Sequence, residues 1–105
     1  MHPSLPRLRG KLEVDTELGT FLGDTRIRLL EAIAKHGSIS QAAKAVPLSY
    51  KAAWDAIDAM NNLAEHPLVT RVTGGRHGGG STLTPYGEKV VALYRALESE
   101  YQAAL

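Results

Sequence analysis

The sequence of 105 residues contains no cysteine, which excludes both a disulfide framework and a thiolate metal site. It has no apolar run approaching the ~20 residues needed to cross a bilayer. Its start, MHPSLPRLRGK, lacks the apolar segment of a secretory signal. A soluble, cytoplasmic protein with no membrane contact is therefore expected. Histidines occur at positions 2, 36, 66 and 77, but not at metal-ligand spacing, and no nucleophile–base pair stands out. No metal, no cofactor and no catalytic residue is expected, and the pattern is not that of an enzyme. Nor is there an excess of one charge: the net charge is +1 and the pI about 8.1, whereas nucleic-acid-binding domains more often exceed a pI of ~9. The length suits one domain with a modest core.

What the charge balance hides is its distribution. Lys35, Lys44 and Lys51 fall in residues 35–54 without an acid, and Arg71 and Arg76 fall in residues 66–87 without one, beside His66 and His77. The acids gather at Glu13, Asp15 and Glu17, then at Asp55, Asp58 and Glu65. Such segregation can build a positive face on a nearly neutral molecule.

The informative stretch is GSISQAAKAVPLSYKAAWDAIDAMNNL, residues 37–63. Ser38 followed by Gln41 is a capping box, so a helix should start near Ile39. Ala42, Ala43 and Ala45 allow close packing. Pro47 cannot continue the helix, and Val46 before it is expected to leave the helical region. Ser49 caps a second helix whose Ala53, Ala56, Ile57, Met60 and Leu63 recur at core spacing. Its other face carries Tyr50, Lys51, Trp54, Asp55 and Asp58. A short helix, a tight turn and a longer helix with a polar front make a helix-turn-helix, whose second helix would enter the major groove of double-stranded DNA. An ordinary helical hairpin with a solvated front has the same pattern.

The flanks extend the reading. Pro3, Pro6, Arg7 and Arg9 suggest an irregular arm over residues 1–10. KLEVDTEL, residues 11–18, alternates as a half-buried strand with Leu12, Val14, Thr16 and Leu18 inward. Asp24 can cap a helix over 25–36 with Ile27, Leu30, Ile33 and Ala34 as its core stripe, and Gly37 can end it. After Pro67, LVTRVT (68–73) and Ser81–Leu83 are two β-prone runs around TGGRHGGG (73–80). Three helices followed by this hairpin are the order of a winged helix-turn-helix. A glycine-rich backbone can approach a duplex closely and donate amides to phosphates; a solvated loop is the plain alternative. No Gly-Lys-Ser/Thr ending and no βαβ setting support a nucleotide loop. Thr84-Pro85 then starts a long helix. Its Tyr86, Val90, Leu93, Leu97, Tyr101 and Ala104, widened by Tyr94 and Leu105, form an apolar stripe suited to a homodimer through this C-terminal helix.

SISQAAKA (38–45), SYKAAWDAIDAMN (49–61), TGGRHGGG (73–80) and LTPYG (83–87) together resemble the N-terminal DNA-binding domain of the ModE family of molybdate-responsive transcriptional regulators. That domain is itself similar to those of LysR-type regulators. The resemblance covers about residues 11–105. It implies a mainly α fold with a small β part: a winged helix-turn-helix over 11–83 and a dimerisation helix over 84–105. It also implies a homodimer on a palindromic operator, with Ser49 to Asp58 in the major groove and the glycine-rich loop as the wing. Family members usually continue into Mop-type oxyanion-binding domains, so the resemblance leaves three readings: a module served by a separate sensor protein, an excised domain, or the family's DNA module used for another purpose. The expected DNA contacts are Gln41 and Lys44 on phosphates, Ser49, Tyr50, Lys51, Trp54 and Asp55 on the recognition helix, and Arg71, Arg76 and His77 on the wing. Ser49 can instead be used as a cap, Trp54 can be half core, and Asp55 can orient a neighbouring cation. A winged-helix module that docks a partner protein is the reading from another class.

Overall fold

The computed structural model describes residues 8–72 and 80–105. In chain order the elements are β1 (Val14–Thr16), β2 (Gly19–Leu22), α1 (Asp24–His36), α2 (Ile39–Ala45), α3 (Tyr50–Leu63), β3 (Val69–Val72), β4 (Gly80–Leu83) and α4 (Pro85–Ala104). The fold is mainly α, with two small antiparallel hairpins, β1–β2 and β3–β4.

The expected single strand over 11–18 is instead half of a hairpin. Thr16 Oγ1 accepts from the Leu18 N–H at 3.1 Å and donates to the Gly19 carbonyl at 3.0 Å. Gly19, at φ 135°, then reverses the chain. Leu18 was expected to face inward but lies at the turn, 85% exposed. The second strand delivers Leu22 to the core, and Arg26 of α1 donates back to the Thr20 and Phe21 carbonyls.

Two expectations for α1 are also corrected. Its N-cap is Gly23, without a side-chain cap. Asp24 is the first helical residue, and its carboxylate lies 3.7 Å from Arg28 one turn on. The buried arc is Ile27, Leu29, Leu30, Ala32 and Ile33, while Ala34 is exposed. The arc is broad because α1 is the central element, meeting α2, α3, α4 and β4. Gly37 ends the helix in the left-handed conformation at φ 68°, where a side chain would be strained. Its N–H bonds the Ile33 carbonyl at 2.8 Å, and its own carbonyl accepts from the Ser81 N–H at 3.0 Å. A Cβ on Gly80 would lie 2.6 Å from that carbonyl oxygen, so the close approach of β4 to the α1–α2 turn requires glycine.

Ser38 starts α2 by accepting from the Gln41 N–H at 3.3 Å. Val46 was expected to leave the helical region before Pro47, yet it keeps φ −67° and ψ −46°. Its N–H bonds Ala42, its carbonyl accepts from Arg28, and its side chain is buried. Core packing and these bonds outweigh the local preference. Ser49 opens α3 by accepting from the Ala52 N–H at 3.0 Å.

Thr84 caps α4, accepting from the Gly87 N–H at 2.9 Å and donating to the Pro67 carbonyl at 2.7 Å. Tyr94, expected at the edge of the α4 stripe, is fully buried at its packing centre. Its hydroxyl donates to the Leu12 carbonyl at 2.6 Å. Burial pushes the Tyr94 phenol pKa up, with the nearby Glu98 and Asp24 adding to it. Arg95 ties α4 to α1 by a fork onto Glu31 at 2.6 and 3.1 Å, and also bonds Glu98 at 2.6 Å. These bonds, led by that to Glu31, hold its guanidinium protonated. The described part of the N-terminal arm also lies on α4. Gln102 donates to the Gly10 carbonyl at 2.7 Å, and a Cβ on Gly10 would meet the Tyr101 ring.

Candidate nucleic-acid interface

The site is built on α3. Its back, Ala53, Ile57 and Met60, is buried; Ala56 and Leu63 are half-buried. That leaves Tyr50, Lys51, Asp55 and Asp58 on an exposed front, with Trp54 half-buried among them. Tyr50 is 58% exposed, and α4 packs against α1 and β4, so the front edge of α3 is open.

Three of the predicted side chains form one continuous surface. The Tyr50 and Trp54 rings meet edge to face, with centroids 6.2 Å apart and planes at 77°, a favourable arrangement of ring quadrupoles. Arg71, from β3, lies with its guanidinium carbon 4.6 Å from the Trp54 ring centroid, within cation–π range. Lys51 Nζ and Asp55 Oδ2 are 2.7 Å apart across one helical turn, both exposed. That hydrogen bond first, and the carboxylate charge second, push the Lys51 pKa up. Lys51 is thus kept cationic, with its ammonium paired to Asp55. The pair offers a donor and an acceptor side by side, the groups that match guanine or phosphate and cytosine respectively.

Ser49 is exposed, with its oxygen occupied as a cap. Gln41 and Lys44 are exposed on α2. Arg76 and His77, predicted at the loop tip, lie outside the described residues. The hairpin strands flanking that loop pair in register, Val69 with Leu83 and Val72 with Gly80.

Sequence reasoning missed Asn61. From α3 its amide donates to the Val69 carbonyl at 3.1 Å and accepts from the Leu68 and Val69 N–H groups at 2.8 and 3.3 Å. It is half-buried, two helical turns after Trp54 on the same face, and no local signal in the sequence marks it. Arg28, which holds the Val46 carbonyl at the turn into α3, was also missed. Among the described residues no His, Asp and Glu side chains gather to hold a metal. No described helix is long and apolar enough to cross a membrane.

A helix with an exposed front, preceded by two packed helices and followed by a β-hairpin, defines a winged helix-turn-helix, a DNA-binding module. The chain belongs to the lysR family of bacterial regulatory helix-turn-helix proteins, whose profile matches residues 25–88. It is 68% identical over 99 residues to the molybdenum transport protein ModE of Azotobacter vinelandii, covering 94% of this chain and 37% of that protein. It is 56% identical over 81 residues to the molybdenum-pterin-binding protein MopB of Rhodobacter capsulatus, covering 77% of this chain and 30% of that protein. With the DNA-binding transcriptional dual regulator ModE of Escherichia coli K12 the identity is 54% over 84 residues, covering 80% of this chain and 32% of that protein. The chain spans about a third of the length of these curated relatives. It is a DNA-binding module of the transcription-regulator class, which is not a class of enzymes.

Proposed function

We propose that this module binds a palindromic operator as a ModE-like homodimer in the cytoplasm, with α3 in the major groove and the β3–β4 hairpin as wing. The observation that carries the reading is the open front of α3, where Tyr50, Trp54 and Arg71 form one surface beside the Lys51–Asp55 pair. Tyr50 offers a ring face to a thymine methyl and a hydroxyl to a phosphate, and Lys51 donates to guanine or phosphate. Asp55 directs Lys51 and disfavours phosphates of unrelated sequence. Gln41 and Lys44 approach the backbone from α2, Ser49 fixes the start of the recognition helix, and Arg71, Arg76 and His77 belong to the wing.

Residues 11–83 then read DNA and residues 84–105 associate. Supporting this division, Leu93, Leu97, Tyr101 and Leu105 stay exposed at one-turn spacing along α4, a seam suited to the same helix of a second copy. A two-fold pair of recognition helices matches two half-sites. The relatives' names mention molybdenum; the surfaces described account for DNA reading and self-association.

Selection of bound sequences from a random DNA pool, at stated salt, tests the reading. The expected result is a two-fold symmetric site with half-sites about one helical turn, roughly 34 Å, apart. A single asymmetric half-site would reject the homodimer. Binding indistinguishable from zero at low salt would return the chain to the protein-docking alternative.

A further inference from the structure

The recognition helix and the first strand of the wing are joined at two points that strand pairing does not provide. At the end of α3, Asn61 takes both backbone groups of Val69, donating to its carbonyl and accepting from its N–H, as a neighbouring strand would. Midway along α3, the Trp54 ring lies against the Arg71 guanidinium. Trp54 and Asn61 are two turns apart on one face, roughly 10 Å along the axis. Val69 and Arg71 sit on one side of β3, roughly 7 Å apart. A strand edge ordinarily leaves its N–H and C=O groups free to pair elsewhere; here the recognition helix occupies that edge. The other strand is held independently, by the Ser81 N–H on the Gly37 carbonyl.

We propose that Asn61 and Arg71 are positioning residues that latch β3 onto α3, so that recognition helix and wing approach DNA as one rigid unit. The proposal rests on the reading in which both elements touch DNA. Surfaces ordered beforehand lose less freedom on association. Arg71 acts through Trp54 rather than as a free phosphate contact.

The test uses the full chain carrying Asn61→Leu or Arg71→Met, with Asn61→Asp, which keeps the acceptor and replaces the donor with a carboxylate oxygen, as a second variant should leucine prevent folding. Hydrogen exchange over Val69–Val72 and Trp54 emission are read without DNA; Trp54 is the only tryptophan. Affinity is read on a duplex selected by the wild type. Exchange over Val69–Val72 is expected to accelerate while α1 stays protected, and Trp54 emission to shift in Arg71→Met. Affinity should fall by roughly threefold to tenfold per variant. For Asn61→Leu the salt slope should be unchanged, since no charge is removed. Unchanged exchange over Val69–Val72 in a folded variant overturns the latch, as does unchanged affinity when protection is lost. A wild type that selects no duplex overturns the DNA reading and, with it, the latch's purpose, while the exchange readout still decides whether the latch holds β3.

Discussion

Replacing both Leu93 and Leu97 with glutamate tests whether the outward face of α4 is a seam between two copies. Leu93 is 61% exposed and Leu97 43%, so together they leave uncovered about one leucine side chain of apolar surface. Burying that much is worth about 1.5–3 kcal/mol, and two-fold symmetry doubles it to about 3–6 kcal/mol per dimer. The double variant should therefore raise the dimer dissociation constant by about a hundredfold to ten-thousandfold, before any repulsion between the new carboxylates. Sedimentation equilibrium over a concentration series reads this directly. Circular dichroism should stay unchanged, because Tyr94 and the Arg95–Glu31 fork, not the two leucines, hold α4 to its own domain. On a two-fold operator the variant should bind weakly, and on an isolated half-site as the wild type does. A wild type that stays monomeric at high concentration, or a double variant that dimerises equally well, would refute the seam.

Tyr94→Phe removes the hydroxyl that donates to the Leu12 carbonyl and should cost about 1 kcal/mol in urea unfolding. Its phenol pKa is raised above the ordinary 10.0 by burial, so the fold favours the neutral form. The Tyr94 contribution is whole below pH 10 and is lost as pH climbs through the raised value. The stability gap between wild type and Tyr94→Phe should be flat below pH 10 and shrink above it; a gap that widens there contradicts the assignment. Gly87→Ala would bring a Cβ to 2.3 Å from the Leu68 carbonyl oxygen, backbone against backbone. It should destabilise by about 2 kcal/mol or more, and an unchanged melting temperature would disprove the close contact. Lys51→Ala should weaken operator binding about fivefold to a hundredfold and relax preference at one base position. Uniform weakening across sequences with a shallower salt slope would instead put Lys51 on phosphate. Asp55→Asn should strengthen binding to unrelated duplexes more than to the operator, and equal effects on both would remove its discriminating role.

Features set by a residue and its near neighbours were legible in the sequence. Ser38, Ser49 and Thr84 each cap a helix through an N–H three positions on, and Gly37 ends α1 by its own left-handed backbone. The same locality made the exposed front of α3 readable, because helical periodicity fixes which residues share a face. The failures lie where a distant element decides. The alternation of 11–18 holds only as far as Asp15, since Thr16 and Leu18 are exposed, and nothing local fixed where the strand turns back; Gly19 and the Thr16 hydroxyl do. Ala34 fitted a one-sided stripe, yet α1 is covered from several sides, so Leu29 and Ala32 are buried instead. Val46 obeyed its packing rather than the proline after it.

The site divides along the same line. Which residues stand on α3 follows from spacing; what each one touches depends on the wing arriving from elsewhere in the chain. Trp54 belongs to the exposed front by periodicity, and its size suggested a half-core role against the preceding helix. It is half-buried, and one contact on its ring is Arg71 of β3. Asn61 carries this furthest. As a helix residue it has no distinctive local signal, since an amide is as easily solvated as bonded. Its importance comes only from where Val69 lies after the chain has turned at Pro67, and that position is set by Thr84 holding the Pro67 carbonyl from the far side of the hairpin. A contact chain of this kind, from α4's cap through β3 to α3, makes the geometry of the exposed α3 front a property of the whole domain.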